Sequence, residues 1–118
     1  MNLQIPDDGY LLRIYIGESD RWHGQALYEA IVYKARELRL AGATVLRGPM
    51  GFGGSSRIHS AKLLRMSEDL PIVVEIVDRK EKIDELLPHI DEMVGEGLVT
   101  LEKVQVLHYR HRKEEAQE

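Results

Sequence analysis

The residues best suited to chemistry in this sequence lie between Arg47 and Arg65, in the stretch RGPMGFGGSSRIHSAKLLR. It holds four of the ten glycines, four Lys or Arg side chains and one histidine, and it contains no Asp or Glu. The whole chain has a formal net charge of −4, so the remainder carries −8 once these four positive charges are set aside. Glycine lets backbone N–H groups approach a phosphate closely. The stretch therefore predicts an anion site on an acidic domain.

The candidate ligand-binding residues in this stretch fall into two groups. Cationic side chains would neutralise a phosphate, and glycine amides would surround it. The first group is Arg47, Arg57, His59 and Lys62, and the second is Gly51, Gly53 and Gly54. The residues alone equally favour a structural interpretation, in which the stretch is a hairpin tip whose glycines only form turns.

The segment from Gly48 to Ser55, GPMGFGGS, comes close to the phosphate-binding loop of nucleotidases. Gly54 stands where that motif needs the lysine that reaches the β- and γ-phosphates, so the nucleotidase interpretation fails.

Other kinds of chemistry find little support. The chain has no cysteine, which excludes thiolate metal sites and cysteine nucleophiles. The five histidines show no metal-ligand spacing, and no serine or carboxylate pair forms a recognisable catalytic set. We therefore predict no catalytic residues, no metal site and no required cofactor. The net negative charge argues against nucleic acid as a partner.

The elements that must position the loop follow the order β-α-β-loop-β-α-β. This order predicts an α+β, ferredoxin-like domain, a four-stranded antiparallel sheet with two helices on one face. Strands are expected over 10–17, 43–47, 71–78 and 98–109, the last with a bulge or bend near Glu102–Lys103, where its apolar pattern shifts phase. One helix is expected over 23–41, and a second opens at Asp78 with a kink or break at Pro88.

We expect three segments: an N-terminal arm over 1–9, the domain over 10–109 with the loop excursion over 47–70, and a polar tail over 110–118. The face of the sheet without helices would carry Leu11, Tyr15, Val73 and Val77, which is too apolar for contact with water alone. A closed homo-oligomer, with a trimer the attractive case, would cover it. No apolar run reaches the length of a membrane span, and the first residues lack the features of a signal peptide, so we expect a cytoplasmic protein.

Four strings carry a resemblance to a known family: RIYIGE, GATVLRGPMGFG, DLPIVVEIVD and GLVTLEKV. Together with the residues between them, over about 10–109, they closely resemble the bacterial and archaeal family called domain of unknown function 190. That family (UPF0166) is placed in the superfamily of PII-like proteins, named after the nitrogen regulatory protein P-II. The resemblance implies a ferredoxin-like subunit assembled as a trimer.

The resemblance also implies a site. In PII relatives the loop after the second strand, here 47–70, is the T-loop, which reports a bound adenine nucleotide to a partner protein. The nucleotide lies in the cleft between subunits. Residues similar to the T-loop base are Arg47, Gly48, Gly51, Phe52 and Gly53. The phosphate-binding loop before the last strand is reduced here to Gly95-Glu96-Gly97, so cations such as Arg110 and Arg112 would replace its lysine.

The sequence thus favours a PII-like sensor that binds a small anion, an adenine nucleotide above all, in its intersubunit clefts. Because the loop before the last strand is reduced, AMP or ADP would need fewer positive charges from the site than ATP. A membrane transporter is a partner implied by the resemblance alone. The alternative from another class is a small enzyme on the same fold, acting on a phosphorylated or carboxylate substrate.

Overall fold

The computed structural model describes residues 8–54, 59–60 and 69–111 of the 118-residue chain. Most of the N-terminal arm, residues 1–7, and of the tail, residues 112–118, lies outside the described residues. One sheet holds four antiparallel strands in the order β4-β7-β1-β8. The strands of this sheet are β1 (Asp8–Gly17), β4 (Thr44–Arg47), β7 (Pro71–Asp78) and β8 (Leu98–Gln105). Two short hairpins accompany the sheet, formed by β2 (Arg21–Trp22) with β3 (Gln25–Ala26) and by β5 (Met50–Gly51) with β6 (His59–Ser60).

The helices α1 (Leu27–Glu37) and α2 (Lys80–Met93) bury one face of the sheet. Alternate residues of β1 and β7 point into this layer, which explains their period-two apolar pattern. The fully buried side chains come from both strands and both helices: Leu12, Ile14, Ile31, Ile72, Val74, Ile76, Ile83, Leu86 and Ile90. The predicted ferredoxin-like α+β architecture is confirmed. Neither helix is long and apolar enough to span a membrane in the described part of the chain.

Helix α1 is shorter at both ends than the expected 23–41. The β2–β3 hairpin takes up the residues before it, and its two-residue turn has φ values of 48° at His23 and 83° at Gly24. Positive φ at both positions suits the right-handed twist of such a hairpin. The helix ends before Gly42 because Arg39 adopts a left-handed φ of 66° and directs the chain away.

The sequence predicts a kink or a break at Pro88; helix α2 runs from Lys80 to Met93 as one element that includes Pro88, so a break is wrong. Its start also differs from the expected capping box. The Asp78 carboxylate is buried, with 3% exposure, and accepts hydrogen bonds from the backbone N–H of Arg79 (2.7 Å) and of Ala41 (2.8 Å). Asp78 therefore joins the start of α2 to the connection between α1 and β4.

Strand β8 pairs with β1 in one continuous register, from Leu98 opposite Tyr15 to Gln105 opposite Asp8, so the predicted bulge is wrong. The phase of its apolar residues shifts because β8 is an edge strand with two partly exposed faces. Val99 lies on the helix side, opposite Ile14, whereas Val104 lies opposite Gly9 on the other side.

The face of the sheet opposite the helices is the open face, and it carries the apolar residues Leu11, Tyr15, Leu46, Val73, Val77 and Leu98. Tyr15, Leu46 and Leu98 are 37%, 48% and 57% exposed in the single chain. Arg13 lies among them, with Nε 2.9 Å from Glu75 Oε2 and Nη1 3.2 Å from Glu102 Oε1. The hydrogen bond to Glu75 raises the pKa of Arg13, so this cation stays charged. The open face is thus an apolar surface around one ion-pair cluster.

Candidate functional site

Four connections meet at one end of the sheet, which we call the loop end. Strands β1 and β4 finish there, at Gly17 and Arg47, and strands β7 and β8 begin there, at Pro71 and Leu98. The antiparallel order of the sheet causes this convergence, since each strand runs opposite to its neighbour. The loop end comprises residues 17–20, 47–51, 69–71 and 95–97.

Backbone hydrogen bonds attach both ends of the glycine-rich loop to the loop end. Gly48 N–H donates to the carbonyl of Pro71 over 2.8 Å, where the loop leaves β4. Where the loop returns, Glu18 N–H donates to the carbonyl of Leu70 (2.8 Å) and Ser19 N–H donates to Asp69 Oδ1 (2.8 Å). The entry and the exit of the loop are therefore held side by side, next to the turn that follows β1.

The Pro71 ring explains two of the glycines predicted at the site. A Cβ atom on Gly48 would lie 3.0 Å from Pro71 Cγ, and one on Gly51 would lie 3.1 Å from the same atom. These contacts are tighter than side chains normally make, so the turn over 48–51 can lie against Pro71 only because it lacks side chains at these two positions. The glycines shape the base of the loop by close packing.

Arg47 is the predicted site cation that the structure fixes in place. It follows Leu46 at the end of β4, opposite Ile72, and its side chain is about half exposed. Its Nη2 atom lies 2.6 Å from Oε2 of Glu18, whose side chain is 26% exposed. A charge-assisted hydrogen bond of this length holds the guanidinium beside the β1 turn. Glu18 is absent from the predicted site residues, because its partner Arg47 lies 29 positions away in the chain.

The first part of the loop brings several predicted residues together. Gly51 pairs with His59 in the β5–β6 hairpin, so the backbones of these two candidates are neighbours. Phe52 is 66% exposed, and Gly53 has open space where a Cβ would be. A Cβ atom on Gly54 would lie 3.6 Å from Glu96 Oε2, which places the loop next to the turn that precedes β8. That turn is where PII-like proteins were expected to hold phosphate.

Of the three remaining predicted residues, Arg110 is the one among the residues that the structure describes. Arg57 and Lys62 lie outside the described residues. Arg110 directly follows Tyr109, whose hydroxyl donates to the carbonyl of Ala41 at 3.3 Å, before the start of β4. Arg47 ends the same strand, so Arg110 and Arg47 lie at opposite ends of β4. Within one chain, Arg110 does not contribute to the loop end.

The described residues contain no group of three or more His, Asp or Glu side chains arranged to hold a metal ion. The loop end offers one arginine, Arg47, together with backbone amides and the carboxylates of Glu18, Asp20, Asp69 and Glu96. An arginine and backbone amides can bind and orient an anion, whereas the carboxylates oppose its negative charge.

Comparisons with known proteins identify the family of the chain and relatives of its fold. Residues 9–106 match the model of the DUF190 family, described as Uncharacterized ACR, COG1993. A UPF0166 protein of Aquifex aeolicus (strain VF5) is 40% identical over 100 residues, which cover 83% of this chain and 92% of that protein.

Two solved structures resemble the fold. One is CPII of Thiomonas intermedia K12, a nitrogen regulatory PII-like protein, whose structure was solved bound to ADP and bicarbonate. It is 18% identical to this chain, the aligned part covers 84% of this chain and 88% of CPII, and the TM-score is 0.63. B. subtilis GlnK in complex with ATP is 10% identical, covers 85% of this chain and 84% of its own, and gives a TM-score of 0.54. At these identities the likeness shows the fold.

Proposed function

The chain belongs to the DUF190 (UPF0166) family of PII-like proteins, and we propose that it is a sensor for a small anionic ligand, an adenine nucleotide. The ligand would bind at the loop end, in the cleft between neighbouring subunits. The glycine-rich loop over 47–70 would then act as the T-loop and report the occupied state to a partner protein. In this account the protein binds its ligand and does not convert it.

One observation carries the proposal: the entry and exit of the loop are held together around Arg47. Gly48 N–H donates to the carbonyl of Pro71, and Glu18 N–H donates to the carbonyl of Leu70 at the exit of the loop. The side-chain carboxylate of the same Glu18 accepts a hydrogen bond from Arg47. An anion that binds Arg47 therefore acts on both ends of the loop at once. Ordering of a loop by a bound phosphate is a known way to change the surface that a partner recognises.

The proposal that the ligand site lies between two subunits is supported by the open face and by the position of Arg110. A trimer would bury the open face, whose apolar residues are partly exposed in the single chain. In a closed ring, the C-terminal segment of one subunit can reach the loop end of the next. Arg110, which lies far from Arg47 in its own chain, would then complete the site of a neighbour.

The choice of an adenine nucleotide has support from the two solved relatives of the fold, one bound to ADP and bicarbonate and one in complex with ATP. AMP or ADP would need fewer cations than ATP, which suits a loop end where Glu96 and Gly97 replace a lysine-containing loop. A membrane transporter is the class of partner that we propose for the loop.

Calorimetric titration of the purified protein with AMP, ADP and ATP tests the proposal. We expect one adenylate to bind at one site per subunit and to lose at least tenfold in affinity in Arg47→Ala, since a charge-assisted hydrogen bond contributes about 1.5 to 3 kcal/mol. Arg36→Ala, at an exposed position of α1, is the matched control and should bind normally. Absence of binding by all three nucleotides would contradict the proposal, and release of phosphate during the titration would favour the enzyme alternative.

A further inference from the structure

The partner of Arg47 in the structure is itself an anion. Glu18 Oε2 lies 2.6 Å from Arg47 Nη2, where an oxygen of a bound phosphate would have to lie to accept the same hydrogen bond. A ligand that binds the guanidinium in this position must therefore take the place of the Glu18 carboxylate.

The displaced carboxylate cannot move far, because the backbone around Glu18 is fixed. Glu18 N–H donates to Leu70 and Ser19 N–H donates to Asp69, both over 2.8 Å. The Asp20 carboxylate in turn accepts from the N–H of Gly17 at 3.0 Å. Only the side-chain torsions of Glu18 are free to change, so its negative charge stays beside any anion on Arg47.

We propose that Glu18 sets the charge selectivity of the site: it favours a phosphate ligand of low charge, a nucleoside monophosphate, over di- and triphosphates. This inference rests on the proposed function. The repulsion from a fixed carboxylate grows with the charge of the ligand, and each further phosphoryl group adds about one negative charge at neutral pH. The other carboxylates of the loop end, Asp20, Asp69 and Glu96, act in the same direction.

The structure also indicates why removal of another loop-end carboxylate would change the ligand selectivity less than removal of Glu18. Glu18 repels the ligand and at the same time occupies Arg47, whereas Glu96 lies near Gly54. Removal of the Glu18 charge therefore frees the guanidinium and reduces the repulsion together. Removal of the Glu96 charge only reduces the repulsion.

The test compares the affinities of AMP, ADP and ATP, measured by calorimetry in EDTA, for the wild-type protein, Glu18→Gln and Glu96→Gln. We expect Glu18→Gln to improve the affinity for ATP relative to AMP by about tenfold, the effect of one or two unit charges at short range in a partly exposed site. Glu96→Gln should change this ratio about threefold or less.

Thermal unfolding and the oligomeric mass of each variant show that the fold is retained; glutamine matches glutamate in size, so both should be unchanged. The role of Glu18 would be overturned if the ratio of the ATP affinity to the AMP affinity were the same in the wild type and in Glu18→Gln. It would also be overturned if this affinity ratio shifted equally in Glu96→Gln. Either result would leave the proposed function intact. Absence of adenylate binding in the wild type and in both variants would overturn the two together.

Discussion

The buried carboxylate of Asp78 allows a sharp prediction about stability. Its two oxygens accept hydrogen bonds from Ala41 N–H and Arg79 N–H, at 2.8 and 2.7 Å, and its side chain is almost fully buried. Asp78→Ala removes both acceptors and leaves two backbone donors at the edge of the core. The connection into β4 and the first turn of α2 would each lose an attachment.

The magnitude follows from these two bonds. A hydrogen bond to a charged acceptor contributes about 1.5 to 3 kcal/mol, and water can reach the partly buried donors and recover some of this. We therefore expect Asp78→Ala to lower the free energy of unfolding by about 2 to 4 kcal/mol. Asp78→Asn keeps one acceptor oxygen and should lower the free energy of unfolding by about half as much as Asp78→Ala.

Urea unfolding followed by circular dichroism, at one fixed protein concentration, measures this change. Asp84→Ala is the matched control, because Asp84 is half exposed and forms a surface ion pair with Lys80 at 3.0 Å. It should change the free energy of unfolding by about 0.5 kcal/mol or less. If Asp78→Ala were no more destabilising than Asp84→Ala, the assignment of Asp78 as the link between α2 and β4 would be refuted.

Two further predictions concern the open face and the turn before β8. Val73→Glu places a charge in the middle of the open face and should convert a trimer to monomers in size-exclusion chromatography with light scattering, whereas Tyr33→Glu, at an exposed position of α1, should leave the mass unchanged. An unchanged mass for Val73→Glu would show that the open face is not the subunit interface. Gly97→Ala should lower the free energy of unfolding by about 1 to 3 kcal/mol, because its Cβ would lie 2.7 Å from the carbonyl oxygen of Tyr15. Gly95→Ala, with open space around its Cβ, serves as the control in the same thermal or urea unfolding assay; equal loss in both variants would contradict the steric argument.

Much of the fold could be predicted because the central strands have one buried and one open face. Strand β7 was expected over 71–78 and is observed at Pro71–Asp78, since its alternate residues are buried without exception. The edge strand β8 lacks this constraint, and its apolar residues occur on both faces. The expected start of α1 is too early because the residues before Leu27 do not signal the β2–β3 hairpin: its turn residue His23 has a positive φ, which is uncommon for a residue other than glycine.

The candidate site divides in the same way. Arg47, Gly48 and Gly51 could be chosen from the sequence, because glycine and arginine are concentrated in one stretch without acids. Glu18 could not be chosen, because its role depends on how the end of β1 lies beside the end of β4. Contacts between strand ends are set by the topology of the sheet, and neighbouring positions in the sequence carry little signal for them.

The most direct test of the central claim is native mass spectrometry of the protein with AMP, ADP or ATP, in parallel with Val73→Glu. The account predicts trimers that bind up to one adenylate per subunit, and monomers of the variant that bind none, since the cleft needs two subunits. Adenylate bound to monomers, or trimers that bind none of the three nucleotides, would contradict it.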